Sequence, residues 1–117
     1  MIYVMVITQV LGAGLVLAGS ALILYWYLYY KRNFKGTLLT GGPYAWVRHP
    51  FYTGFIILVV GLTLFLPIYE TRLLLVFTLA VMYVHVPREE EQLLKQYKRK
   101  YAEYMKKVRW RLIPYIY

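Results

Sequence analysis

The chain has 117 residues, no cysteine and a formal net charge of +9, from 14 Lys and Arg against 5 Asp and Glu. That length is one domain, and the missing cysteine removes disulfides, thiolate metal sites and cysteine nucleophiles together. With 61% hydrophobic residues and a mean hydropathy of +0.48, the chain is too apolar for a soluble domain of this size. Its basic residues border apolar segments, which points to anionic lipid head groups and away from nucleic acid.

The first element is the run Ile2–Tyr30, which carries no charged side chain. It exceeds the roughly 20 residues that span a bilayer. It lacks the charged start and small-residue cleavage site of a signal peptide, so it reads as a retained transmembrane helix. Gly12, Gly14, Ala18 and Gly19 let another helix of the same chain approach closely. The stretch YWYLYY (Tyr25–Tyr30), followed by Lys31, Arg32 and Lys35, combines an aromatic girdle with positive charge. That combination marks the cytoplasmic interface and puts the amino terminus outside.

A loop over 31–50 follows, then an apolar run predicted as a second span over 51–66. PIYETR (Pro67–Arg72) reads as a tight turn, and 73–86 as a third span. Two short spans joined by a tight turn form a hairpin whose ends return to the basic side. Lys31, Arg32, Lys35, Arg48 and the tail lie on that side, and the far side has only Arg72. The positive-inside rule then gives one topology, with loop and carboxyl terminus cytoplasmic. From Arg88 the chain reads REEEQLLKQYKRKYAEYMKKV. Leu94, Tyr97, Tyr101, Tyr104, Met105 and Val108 recur at spacings of three and four, while Lys95, Lys98, Arg99 and Lys106 fall elsewhere. This is an amphipathic basic helix over 88–108, suited to the membrane surface or to packing on the loop. The fold class is therefore an all-α integral membrane protein: about three transmembrane helices and a C-terminal amphipathic cytoplasmic helix in a single domain over 1–117.

Chemistry is concentrated at two places. Glu89, Glu90 and Glu91 are three of the five acids and stand where the third span ends. If Pro87 restarts the helix, they are a stabilising N-terminal patch. Otherwise they are a carboxylate pair for a ligand's hydroxyl or ammonium donors. The second place is GGPYAWVRHPFYTGF (Gly41–Phe55). Its Gly-Gly-Pro builds a turn. Pro50 suits the first turn of the next helix, so Arg48 and His49 precede a helix N-terminus, a place that attracts carboxylate or phosphate. Lipid phosphate and a cofactor both satisfy that description. His85 sits one helical turn before Glu89. His49, His85 and the glutamates match no metal-ligand spacing, so no metal is expected. GxxxxGK[ST] and GxGxxG are both absent. A ligand with a carboxylate, an ammonium, a ribose diol and an adenine would use the groups present, and S-adenosylmethionine has them.

These residues also carry a family resemblance. GGPYAWVRHPFYTG, an EE pair about 35 residues on, and then Y.EY..KV....IP resemble the isoprenylcysteine carboxyl methyltransferase and phospholipid methyltransferase superfamily. Its members are integral membrane enzymes that use S-adenosylmethionine. The resemblance covers roughly Lys35 to Pro114. It implies cofactor contacts at Tyr44, at His49, Pro50, Phe51 and Tyr52, and at Glu89 with Glu90 beside it. It also implies a stretch of pocket wall at Gly36, Thr37, Leu38 and Leu39. Arg48 joins this set from its place in the loop. Prenylcysteine methyltransferases have a histidine where Gly36 stands here. Many members have an arginine near the substrate carboxylate where His85 stands here, and a glycine in the tail helix where Lys98 stands here. The implied reaction is methyl transfer to a lipid or prenylated acceptor entering from the bilayer, with isoprenylcysteine carboxyl O-methylation foremost. Amino-lipid N-methylation and a non-catalytic homologue are the alternatives. No general base is assigned, His85 being the one residue whose position suits that role, and Arg88 or Arg48 is placed to orient an anionic acceptor.

Overall fold

A computed structural model describes residues 1–117. It is all helical: α1 (Ile2–Asn33), a 3-10 turn (Gly42–Ala45), α2 (Pro50–Phe65), α3 (Tyr69–Tyr97) and α4 (Arg99–Lys107). Only 21 of 117 residues are buried, and the large apolar side chains of α1 and α3 are mostly exposed. A helix that exposes Leu, Val and Ile on most of its surface needs an apolar solvent. α1 and α3 are each long and apolar enough to cross a membrane. α2 is the shorter apolar helix, 16 residues, or about 24 Å at 1.5 Å per residue. The expected count of three spans thus resolves into two helices of spanning length and one shorter apolar helix.

α1 and α2 run antiparallel with their backbones in contact. A Cβ built on Gly12 would lie 2.6 Å from the Gly61 carbonyl oxygen, and one on Gly19 would lie 2.7 Å from that of Gly54. Gly12 and Gly19 therefore pack within the chain as expected, whereas Gly14 has open surroundings and Ala18 is exposed.

α3 departs from the expected boundaries at both ends. The turn after α2 is shorter than Pro67–Arg72, because Thr71 closes it early. Its hydroxyl donates to the Leu66 carbonyl at 2.6 Å and accepts from the Ile68 N–H at 3.3 Å. The helix then runs unbroken through Pro87 to Tyr97. The third span and the first part of the tail helix are one rod, with no new N-terminus at Glu89. The glutamates are therefore not an N-terminal patch. On a continuous helix neighbours lie about 100° apart, so Glu89 and Glu90 face different surroundings.

The break comes instead at Lys98, whose backbone has φ 52 and ψ −118. These angles match the first central position of a type II′ turn, where glycine is favoured because it has no Cβ. The difference from the family's glycine at this position is thus a matter of backbone conformation. Lys98→Gly is expected to raise stability by about 1 kcal/mol, and Lys98→Val to lower it. Thermal unfolding in detergent followed by tryptophan fluorescence checks this, and a Gly variant less stable than the parent would refute it.

Beyond the break, Tyr101 and Tyr104 of α4 and Val108 just after it turn inward as a small core, with Leu38 and Tyr44 of the loop packed against them. Of the two placements open to the amphipathic tail, the structure shows packing on the loop. The last residues return beneath α2. Leu112 joins Ile56, Met82 and Val86 in the main core.

Candidate functional site

The loop, the start of α2, the end of α1 and the α3–α4 corner enclose one cleft of about 460 Å³. That is within the usual range for a small-molecule site. α1 contributes Trp26, Tyr30 and Phe34. The loop contributes Thr37, Leu38, Leu39 and Tyr44, and Arg48 to Tyr52 form the next wall. α3 contributes Glu89, Leu93, Gln96 and Tyr97, and α4 contributes Tyr101 and Tyr104. Residues far apart in sequence meet here because α4 doubles back at Lys98 and the loop folds onto it. The Tyr104 hydroxyl donates to the Tyr44 carbonyl at 2.6 Å.

Two carboxylates with opposite surroundings stand behind and beside the wall. Glu89 lines the cleft with its side chain one-third exposed. The Tyr52 hydroxyl donates to its Oε2 at 2.8 Å, and His85 Nε2 lies 3.3 Å from the same oxygen. Glu90 points inward and is 2% exposed. Its Oε2 meets His49 Nε2 at 3.0 Å, the Tyr101 hydroxyl at 3.3 Å and Arg48 Nε at 3.2 Å, the last not angled for a hydrogen bond. Its Oε1 accepts from Arg111 Nε at 2.8 Å. An ionised carboxylate only accepts, so His49 Nε2 carries its proton.

The phenols of Tyr101 and Tyr104 are neutral donors. Burial pushes the hydroxyls of Tyr101 and Tyr104 well above the ordinary tyrosine value, and the charge of Glu90 adds to both. Burial raises Tyr44 too, offset in part by the Trp26 N–H, which donates to its oxygen at 2.7 Å.

The structure therefore gathers Thr37, Leu38, Leu39, Tyr44, Arg48, His49, Pro50, Phe51, Tyr52 and Glu89 around one cleft. Gly36, at φ +81 with open space around it, is not on its lining. Glu90 is not either; it supports the wall from behind. His85 and Arg88 are exposed on α3, outside the lining, and His85 touches the cleft wall through Glu89 and through the ring of Tyr52, 6.0 Å away between centroids. The N–H groups of Arg48 and His49 are taken by the carbonyls of Trp110 and Arg111 at 2.9 and 3.0 Å, so they are not free for an anion. Sequence reasoning missed Trp26 and Tyr30, which read as an interfacial girdle, Phe34, which was given no role, and Tyr97, Tyr101 and Tyr104, which read as a generic apolar face. Their signal was chemical: the faces meant for core are tyrosine and tryptophan, which keep a polar handle for a partner. No group of three His, Asp or Glu side chains is placed to hold a metal ion.

A family model described as phospholipid methyltransferase matches residues 2–100. A Delta(14)-sterol reductase of Mus musculus is 38% identical over 86 residues, 68% of this chain and 20% of the relative. A protein-S-isoprenylcysteine O-methyltransferase of Schizosaccharomyces pombe is 37% identical over 79 residues, 67% of this chain and 34% of the relative. The chain thus spans well under half the length of these curated relatives.

Proposed function

The chain belongs to the phospholipid methyltransferase family, and from that premise we propose that it is an S-adenosylmethionine-dependent methyltransferase acting on a lipophilic acceptor at the membrane. The observation that carries this reading is the two-sided chemistry of the cleft. One wall is aromatic and apolar, and a single half-buried carboxylate, Glu89, faces it.

The residues fit the cofactor group by group. Glu89 accepts from hydroxyl or ammonium donors. Tyr44, Leu38, Leu39, Tyr97 and Tyr104 offer faces for a purine ring. Arg48 supplies positive charge on the wall for a carboxylate, with Thr37, His49, Pro50, Phe51 and Tyr52 completing the enclosure. When bound, the cofactor supplies an electrophilic methyl group. The protein's own contribution is alignment and exclusion of water, which favours a reaction in which opposite charges cancel.

In this reading α1, α2 and the first part of α3 cross the membrane. The α2–α3 turn and the start of α1 lie at the same end, as the pairing of Gly12 with Gly61 requires. The basic loop and tail face the cytoplasm, and the amino terminus lies outside. The cofactor then enters from water and the acceptor from the bilayer. The acceptor we assign first is a prenylcysteine-type carboxylate, which needs no base, with Arg88 exposed beside Glu89 to orient it. An amino-lipid is the second reading. It is favoured by His85, whose imidazole lies 3.3 Å from Glu89 and offers a place for the proton an amine must lose.

Calorimetry on the detergent-solubilised protein tests the cofactor. S-adenosylhomocysteine is expected to bind the parent. Glu89→Gln and His49→Ala are each expected to weaken it by at least about tenfold, since each removes a polar contact or its support. Binding of a nicotinamide dinucleotide and not of S-adenosylhomocysteine would overturn the reading and align the chain with its reductase relative. Labelled methyl transfer to a prenylcysteine analogue and to phosphatidylethanolamine, run side by side, decides the acceptor.

A further inference from the structure

We infer that Arg111 is a positioning residue of this cleft: by holding Glu90 it fixes the ring of His49 along the wall. The inference rests on the cofactor reading above and extends it to a segment beyond the residues the family model matches, which end at 100.

Glu90 has two oxygens with separate duties. Arg111 Nε takes Oε1 at 2.8 Å, and His49 Nε2 takes Oε2 at 3.0 Å. A carboxylate with one free oxygen rotates about its last bond. With Oε1 held by a planar guanidinium, Oε2 stays on His49. Arg111 is in turn held by its own segment. Its Nη1 donates to the Tyr117 hydroxyl at 3.1 Å, and its guanidinium lies over that ring, 5.4 Å from the centroid.

The same segment grips the cleft wall by its backbone. The carbonyls of Trp110 and Arg111 take the N–H groups of Arg48 and His49 at 2.9 and 3.0 Å, and the Leu112 carbonyl takes the Thr53 hydroxyl at 2.6 Å. Arg48 Nη2 reaches the Arg109 carbonyl at 3.4 Å. Three successive carbonyls, on Arg48, His49 and Thr53, set the height of the start of α2 in the wall. The Arg111 side chain sets the direction of the histidine on it. Arg111 itself does not line the cleft, so its effect on a ligand passes through Glu90 and His49.

The test uses the full chain with nitrogen-labelled histidine. There are two histidines, and a His85→Gln reference separates their signals. In the parent, the His49 Nε2 proton is expected to be visible and slow to exchange, because the side chain is 4% exposed and bonded to Glu90. In Arg111→Met that proton is expected to be lost to rapid exchange. S-adenosylhomocysteine is expected to bind about tenfold more weakly, while the protein stays folded because Arg48 still faces Glu90 at 3.2 Å. Arg111→Lys, which keeps the charge but not the planar fork, should recover part of the affinity. A folded Arg111→Met protein with the parental His49 signal and affinity overturns the inference. If Arg111→Met does not fold, Arg111→Lys decides: a weakened His49 signal and affinity support the inference, and unchanged values overturn it. A parent protein that binds no S-adenosylhomocysteine overturns the cofactor reading, and the His49 signal then decides for Arg111 alone.

Discussion

Glu90→Gln is expected to destabilise the protein by about 3–5 kcal/mol, the cost of removing one partner from a buried ion pair. The substitution keeps the size of the side chain, so no cavity forms and the loss is one of charge. It leaves Arg48, 9% exposed, and the Arg111 guanidinium facing the same buried point without a counter-charge. The Tyr101 hydroxyl and His49 lose an ionised acceptor at the same time. Because the cluster is shielded from solvent, added salt should change this difference little. Glu89→Gln is the contrasting case. Its carboxylate is one-third exposed and its partners are a tyrosine and an exposed histidine. Its loss is expected to cost less than about 1 kcal/mol of stability while removing ligand affinity. Unfolding of the two variants in detergent, set beside calorimetry, separates them. Equal destabilisation by both, or a Glu90→Gln change under about 1 kcal/mol, would refute this division of labour.

That division was invisible in the sequence, where the two glutamates are adjacent and read as a pair. What separates them is helix continuity. Had Pro87 ended the helix, Glu89 and Glu90 would have shared a first turn. A proline removes one N–H and crowds the carbonyl four residues back, and this was the reason to expect a stop there. Val86, fully buried in the main core, holds that turn in place by tertiary packing instead. The break at Lys98 escaped notice for the opposite reason. Lysine is a good helix former, and nothing local in the sequence reports a positive φ.

The cleft lining was more legible than its supports. Tyr44, Arg48, His49 and Tyr52 stood out because a loop between apolar runs rarely mixes so many functional groups. Arg111 did not, because an arginine in RWRLIPYIY at the end of a basic tail looks like one more lipid-facing cation. Its role depends on the tail reaching back to Glu90, a contact across 21 positions that no periodicity encodes.

The contact between α1 and α2 yields the other large effect. Gly12→Ala and Gly61→Ala are each expected to cost about 1–3 kcal/mol, the range for inserting a methylene into a full interface. Each added Cβ would meet backbone atoms: Phe65 N at 2.5 Å from Gly12, and the Gly12 carbonyl oxygen at 2.7 Å from Gly61. Backbone cannot rotate aside as a side chain does, so the helices must part. Since both methyls enter the same spot, the double variant should depart from the sum of the singles. Gly14→Ala is the internal control, with nothing within 4 Å of its Cβ, and a residue with a side chain is favoured over glycine in a helix interior. The effect should also reach the cleft. Trp26 near the end of α1 and Phe51 at the start of α2 pack at 4.9 Å between centroids, and both line it. Parting the helices moves these two rings, so Gly61→Ala should weaken S-adenosylhomocysteine as well as lower the unfolding midpoint. Gly14→Ala should do neither. A Gly61→Ala protein with parental stability would mean that the helices are not held backbone to backbone.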